Sequence, residues 1–194
     1  MSLKELYLGC RTYRRFKQTP IDQEILVDLV DCARISSSAA NKQPIYYVVI
    51  NEPEHVKAFQ PLVKWAAALP KELGTPKEGE QPTAFIVMVK RADAIPFADV
   101  DVGIAAHALT LRAYEQGIGS CMMGSINVNK IKEICAIPEE DNVRLVIALG
   151  YPDHKSTIVN VPDDGSLNYY LDDQRQYYVP KRSLDDVLFF EEMK

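Results

Sequence analysis

Residues 101–117 read "DVGIAAHALTLRAYEQG", and this stretch limits what fold the chain can adopt. Alanine and leucine dominate it, both strong helix formers, and Gly117 stands where helices commonly end in a left-handed residue. A helix this apolar, expected over 101–116, needs cover on several sides and belongs near the centre of the molecule. Before it lies "AFIVMVK" at 84–90 and after it "VRLVIALGYP" at 143–152. Both are apolar runs of strand length, the pattern of strands covered on both faces. Further out, the β-branched and aromatic run "IYYVVI" at 45–50 predicts another strand, fed by the small, polar loop "ISSSAANKQP".

The flanking segments predict helices. Ser2 and Glu5 have capping-box spacing for a first helix ending near Gly9, with Leu3, Leu6 and Tyr7 on one face. Ile21, Ile25, Leu26, Leu29, Val30 and Ala33 recur at helical spacing for a second, ending near Arg34. Val56, Phe59, Leu62, Val63 and Ala66 predict a third over 54–69, and a short one is expected over about 128–135. "GIGSCMMGS" at 117–125 reads as a turn. Residues 153–182 are polar, with tyrosine pairs at 169–170 and 177–178 but no sustained period, and "SLDDVLFF" after them can form a last helix or strand. A stretch of that length without its own structure is unusual in a compact monomer, so 153–194 is expected to extend onto a partner subunit.

With 194 residues, no internal repeat and no linker, one domain over 1–194 is expected. Hydrophobic residues make up 47% and charged residues 25%, the balance of a globular protein with a packed core. The net charge of -5 argues against a broad nucleic-acid surface, and no apolar run reaches the length of a membrane span. Four cysteines without a CxxC pair suit reduced thiols, and a cytoplasmic location is expected. His55, His107 and His154 have no partners at ligand spacing, so no metal site is expected.

Familiar chemical motifs are absent. Met122 occupies the third glycine position of a dinucleotide fingerprint, and Ser125 stands where a phosphate loop needs lysine. Neither GxSxG nor HExxH occurs, and no catalytic residue is nominated. What stands out is "CRTYRRF" at 10–16, with Arg11, Arg14 and Arg15 within five positions of an acidic chain. Such a cluster is either solvated and paired with nearby carboxylates, or it clasps an anion through guanidinium forks aided by the Thr12 hydroxyl.

Four stretches in order, "CRTYRRF", "ARISSSAANKQPIYYVVI" at 33–50, "DVGIAAHALTLRAYEQGIGSCMMG" at 101–124 and "VIALGYP" at 146–152, resemble the nitroreductase family of FMN-dependent oxidoreductases. The likeness covers about three quarters of the chain and rests on their ordered combination. It implies an α+β, three-layer fold with a central mixed, mainly antiparallel sheet flanked by helices, in a domain-exchanged homodimer. Two FMN molecules would lie in the interface, each touched by both chains. Arg11, Thr12 and Arg14 match the segment that holds the FMN phosphate and reaches the flavin. Lys181 and Arg182 match a basic pair returning to the same phosphate; on local grounds they are equally an exposed pair before a capped helix. Ser37, Ser38 and Asn41 fall in the ring-contacting loop, otherwise an ordinary turn-rich loop. Met123 and Gly124 match a segment that presents backbone N–H groups to the flavin, and are otherwise a turn after a helix.

Three positions depart from the family pattern: Cys10 in place of an arginine, Ser37 in place of proline and Ile45 in place of tryptophan. The short link between "MVKRADAIPF" and the helix at 101 implies an open site without a large lid. The resemblance implies electron transfer from NADH or NADPH through flavin N5 to a small-molecule acceptor such as a nitroaromatic or quinone. Other expectations on the same fold are dehalogenation, enone reduction, or a non-catalytic flavin-binding module.

Overall fold

The computed structural model describes residues 2–191. The chain opens with α1 (Leu3–Gly9), closed at its start by the expected capping box: the Glu5 amide donates to Ser2 Oγ at 3.3 Å, and the Ser2 amide donates to the Glu5 carboxylate at 2.6 Å. None of the residues of α1 is buried. After β1 (Phe16–Lys17) comes α2 (Gln23–Arg34), which buries Leu26, Leu29 and Ala33. The strands β2 (Ile45–Ile50) and β3 (Ala84–Lys90) follow, separated by α3 (Pro53–Phe59) and α4 (Lys71–Gly74). The central helix α5 (Ala98–Glu115) starts three residues before the expected Asp101 and ends as expected, with Gly117 left-handed at φ 75°. It leads into β4 (Gly119–Met123), α6 (Val128–Ile134) and the long β5 (Asn142–Pro152).

The main sheet runs β2, β3, β5, and β4 and β1 also pair with β5. Its ladders are all antiparallel; among the described residues its parallel element is a lone bridge between Thr12 and Ser120. Both faces are covered, and β3 shows how. Ala84, Ile86 and Met88 face α2 and α5, while Phe85, Val87 and Val89 face Phe59 and Ile131 on the other side. Alternate residues thus enter two separate cores, so β3 carries no polar face at all. The result is the α+β, three-layer architecture the sequence implied.

Three expectations need correction. The helix predicted over 54–69 stops at Phe59, with a 3-10 turn at Gln60–Leu62 and extended backbone at Val63. Pro61 has no amide to continue the helix, although the stripe Val56, Phe59, Leu62, Val63 and Ala66 is buried as expected. The predicted turn at 117–125 holds the strand β4, too short to show a period. Residues 153–182 are not without structure of their own. They form β6 (Ser156–Asn160), β7 (Tyr170–Leu171) and β8 (Tyr177–Lys181), a small sheet in which β6 and β8 are parallel. Parallel pairing across about twenty residues leaves no local period to read. This sheet sits on its own chain through a two-pronged Arg175–Glu80 ion pair at 2.7 and 3.0 Å. Beyond it, Ser183–Leu188 forms a single turn with Leu184, Val187, Phe189 and Phe190 exposed.

Candidate functional site

The basic segment Cys10–Phe16 lies across the edge of the main sheet because two glycines let it. Gly119 and Gly150 are register partners on β4 and β5. A Cβ at Gly119 would meet Tyr13 Cγ at 2.7 Å, and one at Gly150 would meet Phe16 Cβ at 2.8 Å. The backbone is then pinned at several points: the Tyr13 amide donates to Ser120 O at 2.8 Å, the Arg14 amide to His154 Nε2 at 2.9 Å and the Phe16 amide to Glu80 O at 2.9 Å, while Arg15 O accepts from the Asp153 amide at 3.0 Å. Tyr13, Arg15 and Phe16 are buried, leaving Arg11, Thr12 and Arg14 half-buried.

The charges around this cluster bear on both interpretations. Among the described residues no carboxylate pairs with Arg11, Arg14 or Arg15; nearby Glu80 is taken by Arg175. Arg11 donates from Nη2 to Tyr7 O at 2.5 Å, at the end of α1. Arg11 Nε, Arg14 Nε and Arg15 Nη1 are buried with no hydrogen-bond partner. Buried donors without a partner are uncommon, and here three guanidinium nitrogens within five residues are left so.

Arg14 is oriented differently from a side chain free to reach outward. Its guanidinium lies 4.4 Å from the Tyr169 ring centre and 5.1 Å from that of Tyr177. His154 completes this cage, with ring centres 5.3 Å from Tyr13 and 4.7 Å from Tyr177. Burial pushes the His154 imidazole down to about 4, so it is neutral at pH 7. Its Nδ1 then donates to Lys155 O at 2.9 Å, which leaves the Nε2 lone pair for the Arg14 amide. Nothing in the sequence around His154 signals this role. The tyrosine pairs stood out, but their partner lies about 150 residues away.

The second group of predicted residues sits elsewhere. Ser37 and Asn41 are exposed and Ser38 is half-buried, in a loop tied to the start of α5 by the Ala39 amide, which donates to Asp101 Oδ1 at 2.9 Å. Cys10 meets the same helix at Thr110, where Sγ donates to the backbone oxygen at 3.5 Å. Nine residues of α5 separate the two contacts, roughly 13 Å of rise, so one chain does not bring the loop onto the arginine segment. Met123 is buried at the end of β4. Gly124 is exposed, and an added Cβ there would meet nothing within 4 Å. Lys181 and Arg182 are exposed at the end of β8, the strand whose Tyr177 flanks Arg14.

A sequence model described as "Nitroreductase family" matches residues 9–151. The chain belongs to the nitroreductase family. Among curated relatives of this family member, a Methanothermobacter thermautotrophicus protein named "Putative NADH dehydrogenase/NAD(P)H nitroreductase" is 25% identical over 158 residues, covering 78% of each chain. An iodotyrosine deiodinase of Haliscomenobacter hydrossis is 26% identical over 168 residues, covering 73% of this chain and 75% of that one. Among solved structures, a crystal structure described as "the oxidoreductase containing FMN" superposes with a TM-score of 0.68 at 22% identity, covering 100% of this chain and 94% of the other. The likeness to that structure therefore extends over the small C-terminal sheet as well. Among the described residues no helix is long and apolar enough to cross a membrane.

Proposed function

We propose that this nitroreductase-family chain is an FMN-dependent oxidoreductase that passes electrons from NADH or NADPH to nitroaromatic, quinone or related conjugated acceptors. The observation that carries this reading is the arginine segment, three cations without carboxylate partners among the described residues and with buried nitrogens unspent. A phosphate monoester with about two negative charges is the anion such a donor set suits. Bound FMN would supply hydride and electron transfer at its N5. This chain's residues would bind and orient it. Arg11 and Thr12 would hold the phosphate, with Lys181 and Arg182 approaching from β8. Arg14, fixed in its tyrosine cage, would place a steady positive charge near the ring. Gly124 would offer its N–H without a side chain in the way, beside Met123.

Ser37, Ser38 and Asn41 would contact a flavin held mainly by a second copy, which meets the separation of the loop from the arginine segment within one chain. The exposed face of α5 supports the homodimer. Phe97, Val100 and Ile104 stand there at helical spacing, uncovered, around a Gly103 whose missing Cβ leaves open space. Segment 153–194 is proposed to pack on that second copy; Leu184, Val187, Phe189 and Phe190 are exposed, and 192–194 lie outside the described residues. A cytoplasmic location goes with this reading. A second reading, reductive dehalogenation on the same flavin, is favoured by the deiodinase among the relatives.

The test is an anaerobic titration of FMN-reconstituted protein with NADH and NADPH, followed by visible absorption. Flavin bands that bleach with a nucleotide and return on adding a nitroaromatic or quinone are expected. Arg11→Ala should release the flavin. Reconstituted protein that stays colourless would overturn the proposal, and bands restored by a halotyrosine alone would transfer the activity to dehalogenation.

A further inference from the structure

The loop Ser37–Gln43 holds three non-glycine residues in the left-handed region: Ala40 at φ 47°, Asn41 at φ 53° and Gln43 at φ 48°. L-residues avoid this conformation, and a loop that keeps it three times in four positions must be held from outside. Most of its hydrogen bonds cannot do that, because they are internal. The Asn41 amide donates to Ser38 O, the Lys42 amide to Ala39 O, and the Gln43 amide to Ser38 Oγ, at 2.9, 3.1 and 3.1 Å. Those bonds would travel with the loop if it moved. Packing is thin as well: a pocket of ≈ 120 Å³ opens beside the loop, lined in part by Ser37, Ser38, Gln43, Tyr47 and Asp101.

The tie from mid-loop to the body of the protein is the Ala39 amide donating to Asp101 Oδ1 at 2.9 Å. Asp101 is 2% exposed, and its other oxygen is buried with no partner. A carboxylate is an expensive group to bury half-satisfied. Its position in the first turn of α5 eases that cost, because the helix dipole favours negative charge there. An acidic acceptor also makes a stronger bond to a backbone N–H than a neutral one would.

We infer that Asp101 is a positioning residue that holds the Ser37–Asn41 loop, before any flavin arrives, in the shape that contacts it. The inference rests on the proposed flavin role of that loop. Ordering the loop during folding spares the cost of ordering it on binding, so loss of the tie shows as weaker affinity. Asp101 touches no reacting atom and takes no part in electron transfer.

The experiment has two readouts. In flavin-free wild-type protein, hydrogen exchange at the Ala39 amide should be slowed although the loop is on the surface, and Asp101→Ala should abolish that protection. FMN affinity, measured by quenching of flavin fluorescence, should weaken by roughly tenfold in Asp101→Ala, the usual scale for a lost bond to a charged group. Asp101→Asn keeps an oxygen acceptor of the same shape and should restore most of both effects, which general loss of stability would not reproduce. An unprotected Ala39 amide in the wild type would overturn the inference. So would an Asp101→Ala protein that binds FMN normally, or an Asp101→Asn protein no better than it. If the wild type takes up no FMN, the flavin proposal falls, and Ala39 exchange alone decides whether Asp101 holds the loop.

Discussion

Lowering the pH should destabilise this protein through one imidazole before its carboxylates begin to respond. His154 is buried between Tyr13 and Tyr177, and burial, with some help from the charges of Arg15 and Arg14, brings it from an ordinary 6.5 to about 4; Asp153 and the Lys155 carbonyl pull the other way. The unfolded chain therefore takes up the proton first. The stability this residue contributes is whole above pH 6.5, declines as the pH falls, and is gone below about 4. At roughly 1.4 kcal/mol for each pH unit, the full effect is about 3 kcal/mol. The carboxylates of Glu80, Asp99 and Asp172 lie below their ordinary values, drawn down chiefly by Arg175, Lys90 and the Gln176 amide respectively, so their own losses come at lower pH. Urea unfolding between pH 7.5 and about 4.5, for wild type and His154→Gln, isolates the histidine. The wild type should lose about 2.5 kcal/mol more than the variant across that window. Parallel curves would refute the argument, since they would mean that folding does not hold His154 neutral.

Two glycines with opposite surroundings make a paired test. Gly119→Ala forces a Cβ to 2.7 Å from Tyr13 and should cost about 1–3 kcal/mol in urea unfolding while loosening the arginine segment. Gly124→Ala meets nothing and should leave stability within roughly 0.5 kcal/mol, while weakening FMN binding if its backbone serves the ring. Ala40→Gly should raise stability by up to about 1 kcal/mol by relieving a left-handed alanine, an effect that equilibrium unfolding would detect and that a loss of stability would contradict.

Elements that carry their own period were legible from sequence. The central helix, the strands at 45–50, 84–90 and 143–152, and the capping box each announce themselves within a few residues, because burial pattern and local geometry agree there. Pro61 cut short a helix whose apolar spacing continued past it, so the stripe was right and the conformation wrong. The C-terminal sheet was not legible, since its parallel pairing depends on partners far along the chain. The same division holds at the site. Arg11 and Thr12 could be picked out by residue type, whereas the cage around Arg14 and the anchor Asp101 exist only once distant segments meet. An aspartate in a helix's first turn looks like any other until its burial is known.

The pinning of Arg14 by His154 spans 140 positions of sequence. By the time Pro152 has left a ribosome, every strand of the main sheet is available, yet Arg14 still lacks Tyr169 and Tyr177. Contacts this distant form late because the chain between them must first be ordered. The surroundings of Arg14 are therefore completed late in synthesis. A chain stalled or clipped near residue 155 would retain its central sheet while the Arg14 guanidinium lacked both of its tyrosines.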